Sequence, residues 1–195
     1  MEAKNTSQTF STILVLLLIV GGAVYFFLSR GGLPASLSDV KTYISDTFGF
    51  SFSYPTKYFL EEKEVGNGER YHYTIILTED TEENRLVREG LAPGREGPIA
   101  ITFDAYQNDI DARTLQQWIE GTNDSNYKLA KGPYVATSVG GKTAVTYEWS
   151  GLYEARTVAV LLDTVIFSIT VTYISPEDEI LKDFSGILET VQFVR

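Results

Sequence analysis

The longest unbroken apolar pattern in the chain is residues 10–28, FSTILVLLLIVGGAVYFFL, nineteen positions without a charged side chain. A helix rising about 1.5 Å per residue spans roughly 28 Å over this length, close to the hydrocarbon thickness of a bilayer. The pattern predicts one membrane-spanning helix, with Phe10, Leu16, Val20, Tyr25 and Leu28 as anchor residues along it. A cleavable signal peptide is the competing reading. Against it, the run is longer than a signal core, only Lys4 precedes it, and Leu28 and Arg30 stand where small residues would mark a cleavage site. Basic residues are nearly balanced across the run, so orientation follows mass. Tail residues 1–9 are expected in the cytoplasm and the large C-terminal part outside it. Residues 29–41, rich in Gly, Pro and Ser, read as a linker.

Beyond the linker the apolar period changes to two. Residues 133–174 hold four β-rich runs separated by Gly140-Gly141, Ser150-Gly151 and Asp163-Thr164. In the last run Val165, Phe167, Ile169, Val171 and Tyr173 alternate with Ile166, Ser168, Thr170 and Thr172. This predicts a four-stranded antiparallel meander. Residues 43–54 (YISDTFGFSFSY) predict a strand, a turn and a second strand, with Phe48, Phe50, Phe52 and Tyr54 on one face and Pro55 ending the pairing. Residues 71–77 and 99–106 are two further strand candidates. Thr114 opens a short helix over residues 114–120 with a Thr-x-x-Gln capping box, closed by Gly121. Ser175-Pro176 predicts the start of a terminal helix, whose Ile180, Leu181, Phe184, Ile187, Leu188 and Val191 form one apolar stripe. Residues 78–98, polar and charged, read as a long excursion between strands. The fold class is α+β, a sandwich with an antiparallel sheet over residues 42–195, preceded by one N-terminal transmembrane helix.

Charge narrows the partners. Residues 31–195 carry 14 Lys and Arg against 25 Asp and Glu, which argues against nucleic acid and against docking on anionic lipid. The chain has no cysteine, which excludes disulfides, thiolate metal sites, a cysteine nucleophile and a lipoprotein anchor.

Several framework motifs resemble those of PsbP-like domains. They are FGFSFSYPTKYF (residues 48–59), EGPIAITFDAYQN (96–108) followed by TLQQWIEG (114–121), VGGKTAVTYEW (139–149) and FSGILETVQFV (184–194). The resemblance covers about residues 42–195 and implies an α/β/α sandwich around an antiparallel sheet. It also implies a family whose roles are mostly non-enzymatic. These are extrinsic subunits of photosystem II that help retain calcium and chloride, relatives that bind a small GTPase, and bacterial surface lipoproteins. Fold does not choose among them. In place of the photosynthetic members' transit peptide, this chain carries a segment that reads as an uncleaved anchor.

Candidate chemistry is sparse. His72, the single histidine, alternates with Tyr71 and Tyr73 and is expected on the polar side of its strand with Arg70 and Thr74. No G-x-S-x-G elbow accompanies a serine and no Walker motif is present. One histidine and no cysteine cannot build a tetrahedral zinc site. Hard cations accept carboxylates, so Asp104, Asp109 and Asp111 are the weak metal candidates, with calcium as the ion they suit. The expectation is a membrane-tethered, extracytoplasmic, non-catalytic interaction or assembly module, without a cofactor, whose partners are the membrane and another envelope protein. Two alternatives remain. One is a ligand or cation sensor that uses the acidic residues 78–98. The other is a hydrolase of unrecognised type with two acids in one cleft.

Overall fold

Aromatic residues at every second position of one strand organise the molecule. The computed structural model describes residues 39–66 and 71–194. The expected anchor, with Phe10, Leu16, Val20, Tyr25 and Leu28, lies outside the described residues. Among the described residues no helix is long and apolar enough to cross a membrane. Val40–Arg195 form one compact unit.

Strands β1 (Val40–Ser45) and β2 (Phe50–Pro55) make the expected hairpin, with Tyr43 opposite Phe52. Pro55 is the last β2 residue and faces Val40. Phe50, Phe52 and Tyr54 are buried as the period requires, while Phe48 sits in the turn and packs on the core. The chain then enters β3 (Tyr58–Glu64), a strand that its Glu and Lys content concealed, paired with β4 (His72–Glu79). β5 (Ile101–Gln107) lies between β4 and β9 (Val165–Tyr173). β6 (Val135–Val139), β7 (Lys142–Ser150) and β8 (Glu154–Leu162) complete the predicted meander. Its middle junction holds three residues, not two, because Ser150 pairs with Glu154. The large sheet runs β3-β4-β5-β9-β8-β7-β6, all antiparallel.

Residues 78–98 are more ordered than the polar composition suggested. β4 extends to Glu79, and helix α1 (Glu82–Arg88) follows under a Thr81 cap, with Arg85 bonded to Glu82 and Glu89 one turn either way. Helix α2 (Leu115–Gly121) carries the predicted capping box in full: Gln117 N–H donates to the Thr114 hydroxyl, and Thr114 N–H donates to the Gln117 side chain. The terminal helix α3 (Ile180–Thr190) starts later than its proline signal implied. The Asp178 carboxylate accepts the backbone N–H groups of Ile174 and Ser175, which holds residues 174–178 in a turn and moves the cap to Glu179. Its stripe is core as expected: Ile180, Phe184 and Ile187 are buried.

A strand outside the predicted set, β10 (Gln192–Phe193), adds to β2, so β1-β2-β10 form a second, small sheet. This sheet and α3 cover one face of the large sheet. There the Phe52 ring lies parallel to Phe103 at 3.9 Å, and Phe50 meets Phe167 edge-on at 5.0 Å. α2 covers part of the opposite face with Trp118 and Ile119, which pack on Tyr147, Ala159 and Ile166.

The β6–β7 turn is tied to this architecture. Gly140 and Gly141 both have positive φ, 54° and 73°, as a two-residue hairpin of this twist needs. A Cβ on Gly140 would stand 2.6 Å from the Phe193 ring, whereas one on Gly141 meets nothing. Gly140→Ala should therefore cost more than the 1–2 kcal/mol of left-handed strain that Gly141→Ala bears. Thermal melts of the two variants check this, and equal losses would contradict it.

Candidate functional cleft around His72

Antiparallel register places the cleft's central side chains. His72 lies opposite Tyr106 and Thr74 opposite Asp104, so residues 72, 104 and 106 share one face. The His72 ring stacks on Tyr106 at 4.1 Å and 21°, and its Nε2 lies 2.8 Å from an Asp104 carboxylate oxygen. His72 shares its face with Thr74, as the alternation with Tyr71 and Tyr73 predicts, while Arg70 lies outside the described residues. That face is partly covered here, however, so the histidine is half-buried and partnered instead of bare.

The opposite wall comes from the segment after β5. Buried Asn108 accepts the Arg113 N–H and donates to the Arg113 carbonyl, while its own N–H donates to Thr164. This closes residues 108–113 into a tight loop, with Ala112 at φ 43°, and leaves Arg113 3.6 Å from Asp111 at the mouth. The capping box at Thr114 then fixes the entry of α2. That helix sets Trp118 against Tyr106 at 5.2 Å, while the Thr122 hydroxyl donates to the Trp118 carbonyl. The cleft between these walls holds about 240 Å³, lined by Tyr71, His72, Tyr106, Asp111, Arg113 and Asp124 among others. Burial, with the Asp104 and Asp124 carboxylates nearby, raises the Tyr106 hydroxyl far above its ordinary range and keeps it a donor.

The three aspartates singled out from sequence go to different partners. Asp104 holds His72, Asp109 accepts from the Gln107 side chain and the Ile110 N–H, and Asp111 pairs with Arg113. Among the described residues no group of three His, Cys, Asp or Glu side chains is placed to hold a metal ion. The acidic excursion carries its own cations: Arg85 serves Glu82 and Glu89, Arg88 serves Asp80, and Arg95 serves Glu83. The cleft is small and polar, and among the described residues it holds a protonated phenol, an imidazole, carboxylates and one guanidinium. It is equipped to recognise a small polar group. Arg113, Tyr106 and Trp118 escaped the sequence reading, because their meeting with His72 depends on strand register and on where α2 lands.

No protein-family model matches the chain, and no curated protein matches it by sequence. Among solved structures, the solution structure of cyanobacterial PsbP (CyanoP) from Synechocystis sp. PCC 6803 is similar at a TM-score of 0.51. The match covers 85% of this chain and 98% of that one at 12% identity. At that identity the likeness speaks for the fold: this is a mixed α+β domain with a large antiparallel sheet and a PsbP-like fold.

Proposed function

We propose that the chain is a membrane-tethered, extracytoplasmic interaction or assembly module without a catalytic role, whose partner is another envelope protein. The observation that carries this reading is the uncharged apolar stretch of residues 10–28, long enough for a bilayer and joined through residues 29–41 to a domain with its own core. The domain's acidity supports it as well, since an acidic surface is repelled by anionic headgroups and needs an anchor to stay near them. In this reading the His72 cleft is a recognition site, in which Asp104 orients the histidine through Nε2 and Tyr106 covers one face of its ring. The sensor reading loses support where the acids between 79 and 89 are matched by Lys57, Arg85, Arg88 and Arg95.

Fractionation combined with crosslinking tests the proposal. The full chain should stay in the membrane pellet through alkaline washing and leave it only in detergent, while removal of residues 10–28 should send the rest to the soluble fraction. Protease added to intact cells should cut the C-terminal domain, and crosslinked membranes should yield an envelope protein bound to it. A wild-type chain found soluble with its first thirty residues removed would refute the anchor. A domain protected in intact cells would reverse the orientation.

A further inference from the structure

We propose that β6 is a self-pairing edge: a second copy of this chain adds its own β6 there, antiparallel and centred on Thr137. β6 is an outer strand of the large sheet and, among the described residues, pairs only with β7. The Gly140-Gly141 turn fixes which of its backbone groups are spare. Val139 and Lys142 flank a two-residue hairpin and form its first hydrogen-bonded pair. Alternation then turns the N–H and C=O groups of Val135, Thr137 and Val139 toward β7, and those of Ala136 and Ser138 outward. Among the described residues, no backbone hydrogen bond outside the regular ladders involves residues 135–139.

Open edges are usually blunted by charge, proline or a bulge. The opposite edge of the sheet is protected in this way, since β3 carries Glu61, Glu62, Lys63 and Glu64 in succession. β6 reads VATSV, with no charge and no proline, and Val135 is 57% exposed. The second observation, charge, selects the occupant. The chain has a net charge of −10, yet residues 125–147 contain three lysines and no Asp or Glu. Within the five residues of β6 two copies bring no charge against a charge, and Glu148 in the groove beside Val135 is paired with Arg156. Meeting along β3, they would set glutamates against one another, which destabilises cross-strand pairs.

Register follows from the outward groups. Ala136 and Ser138 must face outward residues of the other copy, and full overlap of the five residues sets Ala136 opposite Ser138, Val135 opposite Val139 and Thr137 opposite Thr137. The result is a two-fold, self-complementary contact. On the Val135 side a groove of about 440 Å³, lined by Lys131, Pro133, Thr146 and Arg156 among others, gives room for the incoming side chains. This inference is independent of the tether, because an untethered chain would pair in the same way.

The chain has no cysteine, so Thr137→Cys supplies its only thiol. Directly opposite residues in a non-hydrogen-bonded pair stand about 4.5 Å apart at Cα, within disulfide range, whereas diagonal neighbours stand about 7–8 Å apart, beyond it. In full-length protein under mild oxidation, Thr137→Cys should form a covalent dimer of doubled mass. Ala136→Cys by itself should not, but mixed with Ser138→Cys it should. Glu62→Cys, on the β3 edge, reports random collision. Unmodified full chain in detergent should sediment as a dimer. Ala136→Lys combined with Ser138→Lys puts lysine opposite lysine twice and should give monomer, while Ala136→Lys with Ser138→Glu should restore the dimer. Both positions are exposed, so the monomer fold tolerates these changes. Crosslinking of Thr137→Cys at the Glu62→Cys level would overturn the proposal. So would a monomeric wild-type chain, or a Thr137→Cys adduct to a different protein.

Discussion

Phe52→Ala is expected to be the most damaging single substitution in the domain, with a loss of about 3–5 kcal/mol. Phe52 is 1% exposed and stands where the two sheets meet. Its ring lies parallel to Phe103 of the large sheet, within 5°, and also touches Tyr43 at 5.3 Å and Tyr54 at 5.8 Å in the small sheet. Truncation removes the transfer energy of a buried ring and leaves a cavity that rigid strands on both sides cannot close. It also forfeits the aromatic pairing, worth about 0.5–1.5 kcal/mol more. A domain stable by about 5–15 kcal/mol would lose at least about a fifth of that. Phe59→Ala is the matched control. Phe59 is 39% exposed, with Arg88 stacked over it at 4.1 Å, so only about 1 kcal/mol should go. Urea midpoints at unchanged slope would measure both. A smaller loss at Phe52 than at Phe59 would refute this account of the core.

High pH should unfold the protein in one cooperative step, and the tyrosines are the cause. Burial raises Tyr43, Tyr58, Tyr106 and Tyr147 far above the ordinary tyrosine range. Tyr58 is fully buried and donates to the Asp183 carboxylate at 2.7 Å, a bond that exists only while the phenol keeps its proton. Tyr147 donates to the Ser125 carbonyl at 2.6 Å. In the unfolded chain these groups ionise near pH 10, while in the folded protein they stay protonated well above it. The unfolded state therefore binds fewer protons above pH 10, and stability falls as pH rises. Their contribution is fully present below about pH 10 and is lost on the way up to the folded-state values. Tyr58 and Tyr147, the two nearly out of water, should each steepen the fall by at most about 1.4 kcal/mol per pH unit. Tyrosinate absorbance from these four residues should appear only with loss of the far-ultraviolet dichroism. A single transition of all twelve tyrosines near pH 10 with dichroism intact would contradict this.

How far the chain can be read depends on whether the information is local. Period-two alternation and paired turn residues need only neighbours, so the β6–β9 meander, the β1–β2 hairpin and the α2 capping box were legible. β3 was not, because an edge strand facing water carries Glu and Lys like any loop, and its strand character comes from pairing with β4. The helix inside residues 78–98 was hidden in the same way. Its charges looked like a solvated excursion, yet they sit three and four apart and pair with one another. His72 could be assigned to the correct face, but not to its partners. Asp104 lies thirty-two residues away, and only the β4–β5 register brings the two within 2.8 Å.

The amino-acid order determined the class of fold, the helix and strand types with strong local periods, the acidity of the domain and the lack of thiol chemistry. Each follows from side chains read one neighbour at a time. Tertiary structure decided which strands are edges, which aspartate meets the histidine, where α2 closes a cleft over Tyr106, and that β6 lies open while β3 is fenced by charge. These depend on residues far apart in the chain arriving at one place. The pairing register and burial that bring them together are properties of the whole sheet, with no signature in any single stretch of it.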